Sequence, residues 1–207
     1  MNVPEPVPVP IDVAVADDRA RRKALRQELI KRRQSLDDTA KQRLQQALDH
    51  HLAILIARLD PVSIGFTWPY RGEYDARAVI RRWLAGDVSR WAALPVVGGK
   101  GEPMSFRRWN DATPMTTDRY GIPYPSVGAA VVPALLLIPC NGFDARGYRL
   151  GYGAGHYDRT LAALQPTPVA VGVAIEDGRL DDLRPHEHDL PMDWIITETG
   201  IAGPFGR

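Results

Sequence analysis

The chain has a single cysteine, Cys140, which excludes an intrachain disulfide and suits a reducing compartment. It has no apolar run long enough to span a bilayer, and none near the N-terminus that would act as an export signal. These absences predict a cytoplasmic protein with no membrane partner. An excess of one charge is missing too: 26 Lys and Arg face 25 Asp and Glu, which gives no overall reason to bind nucleic acid. No internal repeat is present, and the glycine-rich segment lacks the Lys-Ser/Thr pair of a Walker loop. What remains is a chain of 207 residues, 44% hydrophobic, able to bury one substantial core. Pro4, Pro6, Pro8 and Pro10 favour extended backbone, so residues 1–18 are predicted to form a flexible tail ahead of a single domain over 19–207.

Arg19 to Leu36 reads as a helix, with Leu25 and Leu29 one turn apart and Arg22, Arg26 and Arg33 on a neighbouring face. Leu44, Leu48, Leu52, Leu55 and Leu59 mark a second amphipathic helix that stops before Asp60-Pro61. Five apolar segments are predicted strands: Val62 to Trp68, Trp91 to Val97, Leu135 to Ile138, Val169 to Ile175 and Trp194 to Thr197. Helical patterns at Asp75 to Leu84 and His156 to Leu164 separate several of them. The strands are nearly continuous apolar runs, as expected where helices cover both faces of a sheet. The prediction is an α/β protein, a three-layer α/β/α sandwich with an open, mostly parallel, Rossmann-like sheet. Ligands in such sheets collect beyond the C-terminal strand ends, where Tyr70 to Asp75, Pro95 to Phe106 and the glycine segment would emerge.

Chemistry concentrates in Pro139 to Leu161, PCNGFDARGYRLGYGAGHYDRTL. Gly151, Gly153 and Gly155 alternate, exposing main-chain N–H groups that an anion could approach, and the following helix would aim its positive dipole end there. Arg149 and Arg159 bracket the loop with guanidinium forks suited to phosphate. Glu176 stands where a dinucleotide-binding acid would, but Gly151 lies twelve residues after Pro139, too far for that tight turn. Asp158 serves either as a helix-dipole residue or, with Asp189, as half of a Mg²⁺ pair beside a triphosphate. His186 and His188 raise zinc as a rival, with no further ligand pair at suitable spacing. Cys140 and His156 are near in sequence only, a weak basis for a nucleophile and its base. Residues 19 to 33 hold eight cationic side chains against the single acid Glu28, so Arg22 and Arg26 gain most from an anion between them. Tyr70 to Asp75 is either a turn with a helix cap at Asp75 or a pair of acids beside aromatic rings, suited to a flat nitrogen-rich ligand. Met104, Phe106, Trp109 and Tyr120 either extend that apolar wall or pack in the core.

These residues make the chain resemble the 5-formyltetrahydrofolate cyclo-ligases, also called methenyltetrahydrofolate synthetases. The resemblance runs from about Arg21 to Ile201 through R-K-A-L-R, P-Y-R-G-E-Y-D, Y-G-I-P-Y-P, H-D-L-P and I-I-T-E. Its most specific part is G-F-D-A-R-G-Y-R-L-G-Y-G-A-G-H-Y-D-R. It implies a cytoplasmic monomer whose small-molecule partners are ATP, as co-substrate, and a reduced folate, with Mg²⁺ as cofactor. The implied reaction converts 5-formyltetrahydrofolate to 5,10-methenyltetrahydrofolate and releases ADP and phosphate. By position, Arg22, Lys23 and Arg26 would contact ATP, together with Arg149, Gly151, Gly153, Ala154, Gly155, His156 and Tyr157. Arg149, His156 and Tyr157 would serve catalysis. Tyr70, Glu73, Asp75, Tyr120, Tyr152 and His156 would meet the folate, and Asp158 and Asp189 the metal. Three positions depart from the usual family pattern: Ala154 for glycine or lysine, His156 for tyrosine, and Arg22 for lysine. Alanine is tolerable at negative φ, and an imidazole beside the formyl group would give a pH dependence near about 6 to 7. The alternatives are an ATP-dependent enzyme of the same fold acting on a non-folate substrate, and a non-catalytic binder of nucleotide or folate.

Overall fold

The computed structural model describes residues 13–206, with side chains described from residue 17. The polyproline expectation at Pro4 to Pro10 lies outside the described residues. Helix α1 spans Val13–Ser35, beginning within the stretch assigned to the tail, where no proline interrupts helical backbone. Helix α2 spans Asp38–Leu59. Its start is capped by Asp37, which accepts from Ala40 N at 2.7 Å, and its end by Asp60 in left-handed backbone (φ 40°) just before Pro61.

Strand β1 (Ser63–Gly65), helix α3 (Arg77–Ala85) and strand β2 (Trp91–Val96) follow as one crossover. Short strands come next: β3 (Ser105–Trp109), β4 (Met115–Thr117), β5 (Pro123–Pro125) and β6 (Ala130–Val131). Strand β7 (Leu135–Pro139) leads into β8 (Gly142–Asp144), β9 (Arg149–Leu150) and helix α4 (His156–Ala163). The chain then forms β10 (Val169–Val173), β11 (Arg179–Leu180), β12 (Trp194–Thr197) and β13 (Gly200–Ala202).

The main sheet has the order β13-β12-β10-β7-β1-β2-β3-β6. Its centre, from β12 to β2, is parallel, and the strands at both margins are antiparallel. The five predicted strands are the parallel centre: β1, β2 and β10 are shorter than predicted, β12 has the predicted bounds, and β7 runs one residue further. Along β7 the side chains divide by parity: Leu135 and Leu137 join α2 and α3 in one core, while Leu136 and Ile138 join Leu161 of α4 in the other. That division makes the three layers expected from continuous apolar runs. Helix α1 packs separately, its Leu25 and Leu29 against Leu150 and Leu183. Among the described residues no helix is long and apolar enough to cross a membrane.

Strand β3 and the β4–β5 hairpin were not predicted. Phe106 and Trp109 of β3 belong to opposite cores, and Met104 is buried beside them, so all three are packing residues and not a ligand wall. Leu52 is fully buried between α2 and the sheet, whereas Val88 is fully exposed. Leu52→Ala is expected to lower the unfolding free energy by about 2–5 kcal/mol, and Val88→Ala to change it by no more than about 0.5 kcal/mol. Urea midpoints at unchanged m-value measure both, and equal midpoints for the two variants would refute this core assignment.

Candidate active site

Strand β1 continues through α3 toward β2, while its neighbour β7 continues through α4 toward β10 on the other side. A crevice must open where the connections diverge, beyond the C-terminal ends of β1 and β7. It does: Phe66 and Thr67 after β1, Pro139 and Cys140 at the end of β7, and Ala174 and Ile175 after β10 line it. Arg33, Glu73 and Tyr74 close its rim.

Helix α1 lies across this region with one arginine face turned inward. Arg22 donates to Asp189 Oδ2 at 3.0 Å and to the Arg184 carbonyl at 3.3 Å. One turn on, Arg26 Nε donates to the Gly151 carbonyl at 2.6 Å. Farther along, the buried Arg33 donates to the Arg71 carbonyl, to Asn141 Oδ1 and to the Tyr152 hydroxyl, at 3.2, 3.1 and 3.0 Å. The helical repeat therefore brings one face to three separate loops. Lys23 falls outside that face and is exposed. Arg26 has no ion pair among the described residues. Burial, then the nearby charge of Arg22, lowers its pKa, and an anion between the two would relieve both costs.

The glycine loop takes its shape from φ values that side chains avoid, +89° at Gly153 and +64° at Gly155. Its bare faces are covered by guanidinium groups: a Cβ on Gly153 would lie 3.0 Å from Arg26 Cζ, and one on Gly155 2.7 Å from Arg159 Nη1. Arg159 Nη2 also donates to the Ala154 carbonyl at 2.8 Å. Ala154 is absent from the positive-φ positions, which is why its methyl is accommodated.

Arg149 holds the next layer. It is 8% exposed, donates to Asp158 Oδ1 at 2.9 Å and to the Leu190 carbonyl at 3.0 Å, and lies over the Tyr157 ring. Asp158 Oδ1 also accepts from Leu190 N at 3.3 Å, so β9, α4 and the 186–192 segment meet at one ion pair. Asp189, adjacent to Leu190, accepts from Arg22 and from His186 N. The fold thus brings Asp158 and the segment carrying Asp189 together. Asp158 Oδ2 and Asp189 Oδ1 accept no hydrogen bond among the described residues. Such carboxylate oxygens are of the kind that Mg²⁺ takes together with water and phosphate oxygens. Among the described residues no group of three or more His, Cys, Asp or Glu forms a protein-only metal cage.

At the crevice rim the Tyr152 hydroxyl donates to Glu73 Oε1 at 2.7 Å, Tyr70 N donates to Glu73 Oε2 at 3.0 Å, and the Tyr70 and Tyr152 rings lie 6.0 Å apart. Burial raises the Glu73 pKa above the usual carboxylate value, against the Tyr152 hydrogen bond and the Arg33 charge. Asp75 is not part of this group. Its carboxylate accepts both Arg77 Nε and Arg77 Nη2 and also Arg77 N at 3.1 Å, which is the helix-start role at α3. Burial would raise its pKa, but Arg77 outweighs burial and holds it low. Tyr120 is exposed at the tip of the β4–β5 turn, with Arg119 4.9 Å from its ring centre. His156 opens α4. Its pKa is lowered by burial first and then by Arg159 and Arg119, which favours the uncharged imidazole.

Four sequence candidates have other work. Cys140 is buried, and burial pushes its thiol up to about 12, leaving a protonated core group. Glu176 binds Arg179 and accepts from Thr197 and Thr199 at 3.0 and 3.1 Å, so it is a clasp between β10 and β12. His186 pairs with Asp18 and His188 with Glu187, each at 3.2 Å, and they share no partner. Sequence reasoning left Arg33 and Asn141 out of the site. Arg33 had been placed on the face of Arg22 and Arg26, a usable signal, whereas Asn141-Gly142 reads as an ordinary turn.

The chain is 28% identical over 184 residues to a 5-formyltetrahydrofolate cyclo-ligase of Haemophilus influenzae, covering 85% of this chain and 97% of the relative. It is 28% identical over 173 residues to the enzyme of that name from Escherichia coli strain K12, covering 76% and 91%. Its fold matches the NMR structure of 5,10-methenyltetrahydrofolate synthetase from Aquifex aeolicus with a TM-score of 0.76 at 27% identity, covering 90% and 94%. The sequence model of the 5-formyltetrahydrofolate cyclo-ligase family matches residues 18–198, the span that holds the arginine face, the glycine loop and both carboxylates, and this chain belongs to that family.

Proposed function

We propose that the protein is an ATP- and Mg²⁺-dependent 5-formyltetrahydrofolate cyclo-ligase, forming 5,10-methenyltetrahydrofolate, ADP and phosphate. The observation that carries this reading is three guanidinium contacts spread over the glycine loop, the start of α4 and the 184–190 segment: Arg26 against Gly153, Arg149 with Asp158, and Arg22 with Asp189. Guanidinium groups and loop N–H groups would hold the triphosphate, and Asp158 and Asp189 would hold Mg²⁺. Bound there, the ion would neutralise phosphate charge as it moves to the acceptor.

The chemistry follows from the weakness of an amide oxygen as a leaving group. The formyl oxygen attacks the γ-phosphorus and the bond to ADP breaks. N10 then adds to the activated formyl carbon, its proton is lost, and phosphate departs with the former formyl oxygen. Arg22 and Arg26 would stabilise charge on the transferring group, because their positions are fixed before ATP arrives. Arg149 acts one step back: its buried guanidinium orients Asp158 and the Leu190 backbone, so we assign it positioning and not contact with reacting atoms. Glu73 and Tyr152 would meet the N–H edge and ring of the folate, with Tyr70 beside them. Tyr120 and His156 would flank the entrance. His156, standing where the family usually has tyrosine, supports a second reading in which the same ATP chemistry serves a different acyl substrate.

Protein with MgATP and 5-formyltetrahydrofolate is expected to give methenyl absorbance and ADP in equal amounts. Absence of both signals would exclude folate catalysis, and ADP without methenyl would favour the second reading. Asp158→Asn and Asp189→Asn are each expected to reduce turnover about 100-fold or more, the scale of losing an electrostatic group at a transition state. Isothermal titration should show folate binding retained in both. Wild-type turnover in either variant removes that residue from the metal pair. Arg149→Met is expected to destabilise the fold by about 1–3 kcal/mol, because the part-buried Asp158 carboxylate and the Leu190 carbonyl lose their donor. A thermal midpoint equal to wild type would contradict it.

A further inference from the structure

Glu73 and Arg33 both face the crevice, yet they form no direct ion pair within 4.0 Å, because the Tyr152 hydroxyl stands between them. The order of donors is fixed by chemistry. A guanidinium only donates, so at 3.0 Å from Arg33 Nη2 the Tyr152 oxygen must accept. The phenol has one proton, which is then directed to Glu73 Oε1 at 2.7 Å. Arg33 is itself immobilised: Nη1 donates to Asn141 Oδ1, Nε donates to the Arg71 carbonyl, and the residue is only 8% exposed. Tyr70 N supplies the other Glu73 oxygen.

We propose that Arg33 is a positioning residue for the substrate edge of the site, acting through the Tyr152 hydroxyl to hold Glu73 as an oriented carboxylate acceptor. This rests on the reading of Glu73 and Tyr152 as folate-side groups. An ionised Glu73 offers acceptors only, and the partner that fits is a heterocycle edge bearing adjacent N–H donors. A protonated Glu73 would present a donor to donors and lose that match.

The groups facing Glu73 are Arg33 from α1, Tyr152 from the glycine loop and its own Tyr70 N–H, with Cys140 and Tyr157 near enough to feel its charge. Burial holds the Cys140 thiol and the Tyr157 phenol protonated, so Arg33 is the one cation supporting the carboxylate among these. Burial already raises the Glu73 pKa, and Arg33 and Tyr152 oppose it. Removing either must raise it further, so the acceptor is lost at a higher pH.

The test is the pH dependence of kcat/KM for 5-formyltetrahydrofolate at saturating MgATP, in Arg33→Met, Arg33→Lys and Tyr152→Phe. In Arg33→Met the acidic limb is expected to move up by about one pH unit, a tenfold loss on that limb. Folate KM should rise while ATP KM stays within about twofold. Tyr152→Phe should shift the limb in the same direction by less, and Arg33→Lys should restore part of it, since charge remains without the fork. Glu73→Gln should abolish the limb, which assigns it. Limbs that coincide with wild type in both Arg33→Met and Tyr152→Phe would overturn the proposal. If Arg33→Met does not fold, Tyr152→Phe decides, because Tyr152 is exposed and outside the core. If wild type does not turn over folate, the proposed function fails. A ¹³C NMR titration of the Glu73 carboxylate in wild type and Tyr152→Phe then still reads the network, and an unchanged midpoint overturns it.

Discussion

A guanidinium cannot shed its proton at any physiological pH, so an arginine drawn against a protein surface compels that surface to supply acceptors. Helix α1 applies this constraint three times along one face. Arg22 gathers Asp189 and the Arg184 carbonyl, Arg26 the Gly151 carbonyl, and Arg33 the Arg71 carbonyl, Asn141 and Tyr152. The loops so gathered come from the ends of different strands and have few reasons of their own to meet. Leu25 and Leu29 anchor the helix against Leu150 and Leu183, and the arginines then set the spacing of the loops around the crevice.

The second organising contact is the pair Arg149–Asp158. A buried ion pair contributes little to stability relative to an apolar replacement, but losing one partner is costly. Its retention here goes with geometry: one carboxylate oxygen receives both Arg149 and Leu190 N, which brings the residue beside Asp189 toward the start of α4. The site is therefore assembled largely from charge satisfied by charge. Arg26 and Arg33 are exceptions, each without an acid within ion-pair distance among the described residues, and Arg26 lies half-buried on the bare face of Gly153.

Much of the fold was legible. Leu135 to Ile138 could be read as a strand covered on both faces because neither parity carries a polar residue, and the two cores divide it accordingly. The second helix was legible in its leucine spacing and its Asp60-Pro61 stop. Strand β3 was not, because Ser105, Arg107 and Arg108 interrupt any apolar run and only pairing with β2 and β6 completes its backbone hydrogen bonds. Strands such as β6, β9 and β11 are two residues each, too short for a period to register.

Within the site, the sequence alone determined which residue types were available: alternating glycines, an arginine-rich stretch over 19–33 with one acid, and two aspartates far apart in the chain. It also determined the layer order, since hydrophobic periodicity is a local property of consecutive residues. Which oxygen each arginine meets was decided only by the tertiary structure. Asp75 and Glu73 are two residues apart with the same charge, yet one is held by Arg77 at the start of α3 and the other by Tyr152 at the crevice rim. Arg33 reaches Asn141 across 108 positions and Tyr152 across 119. Hydrogen bonds act over about 3 Å, so partners so distant along the chain become visible only once the sheet has brought the strand ends together.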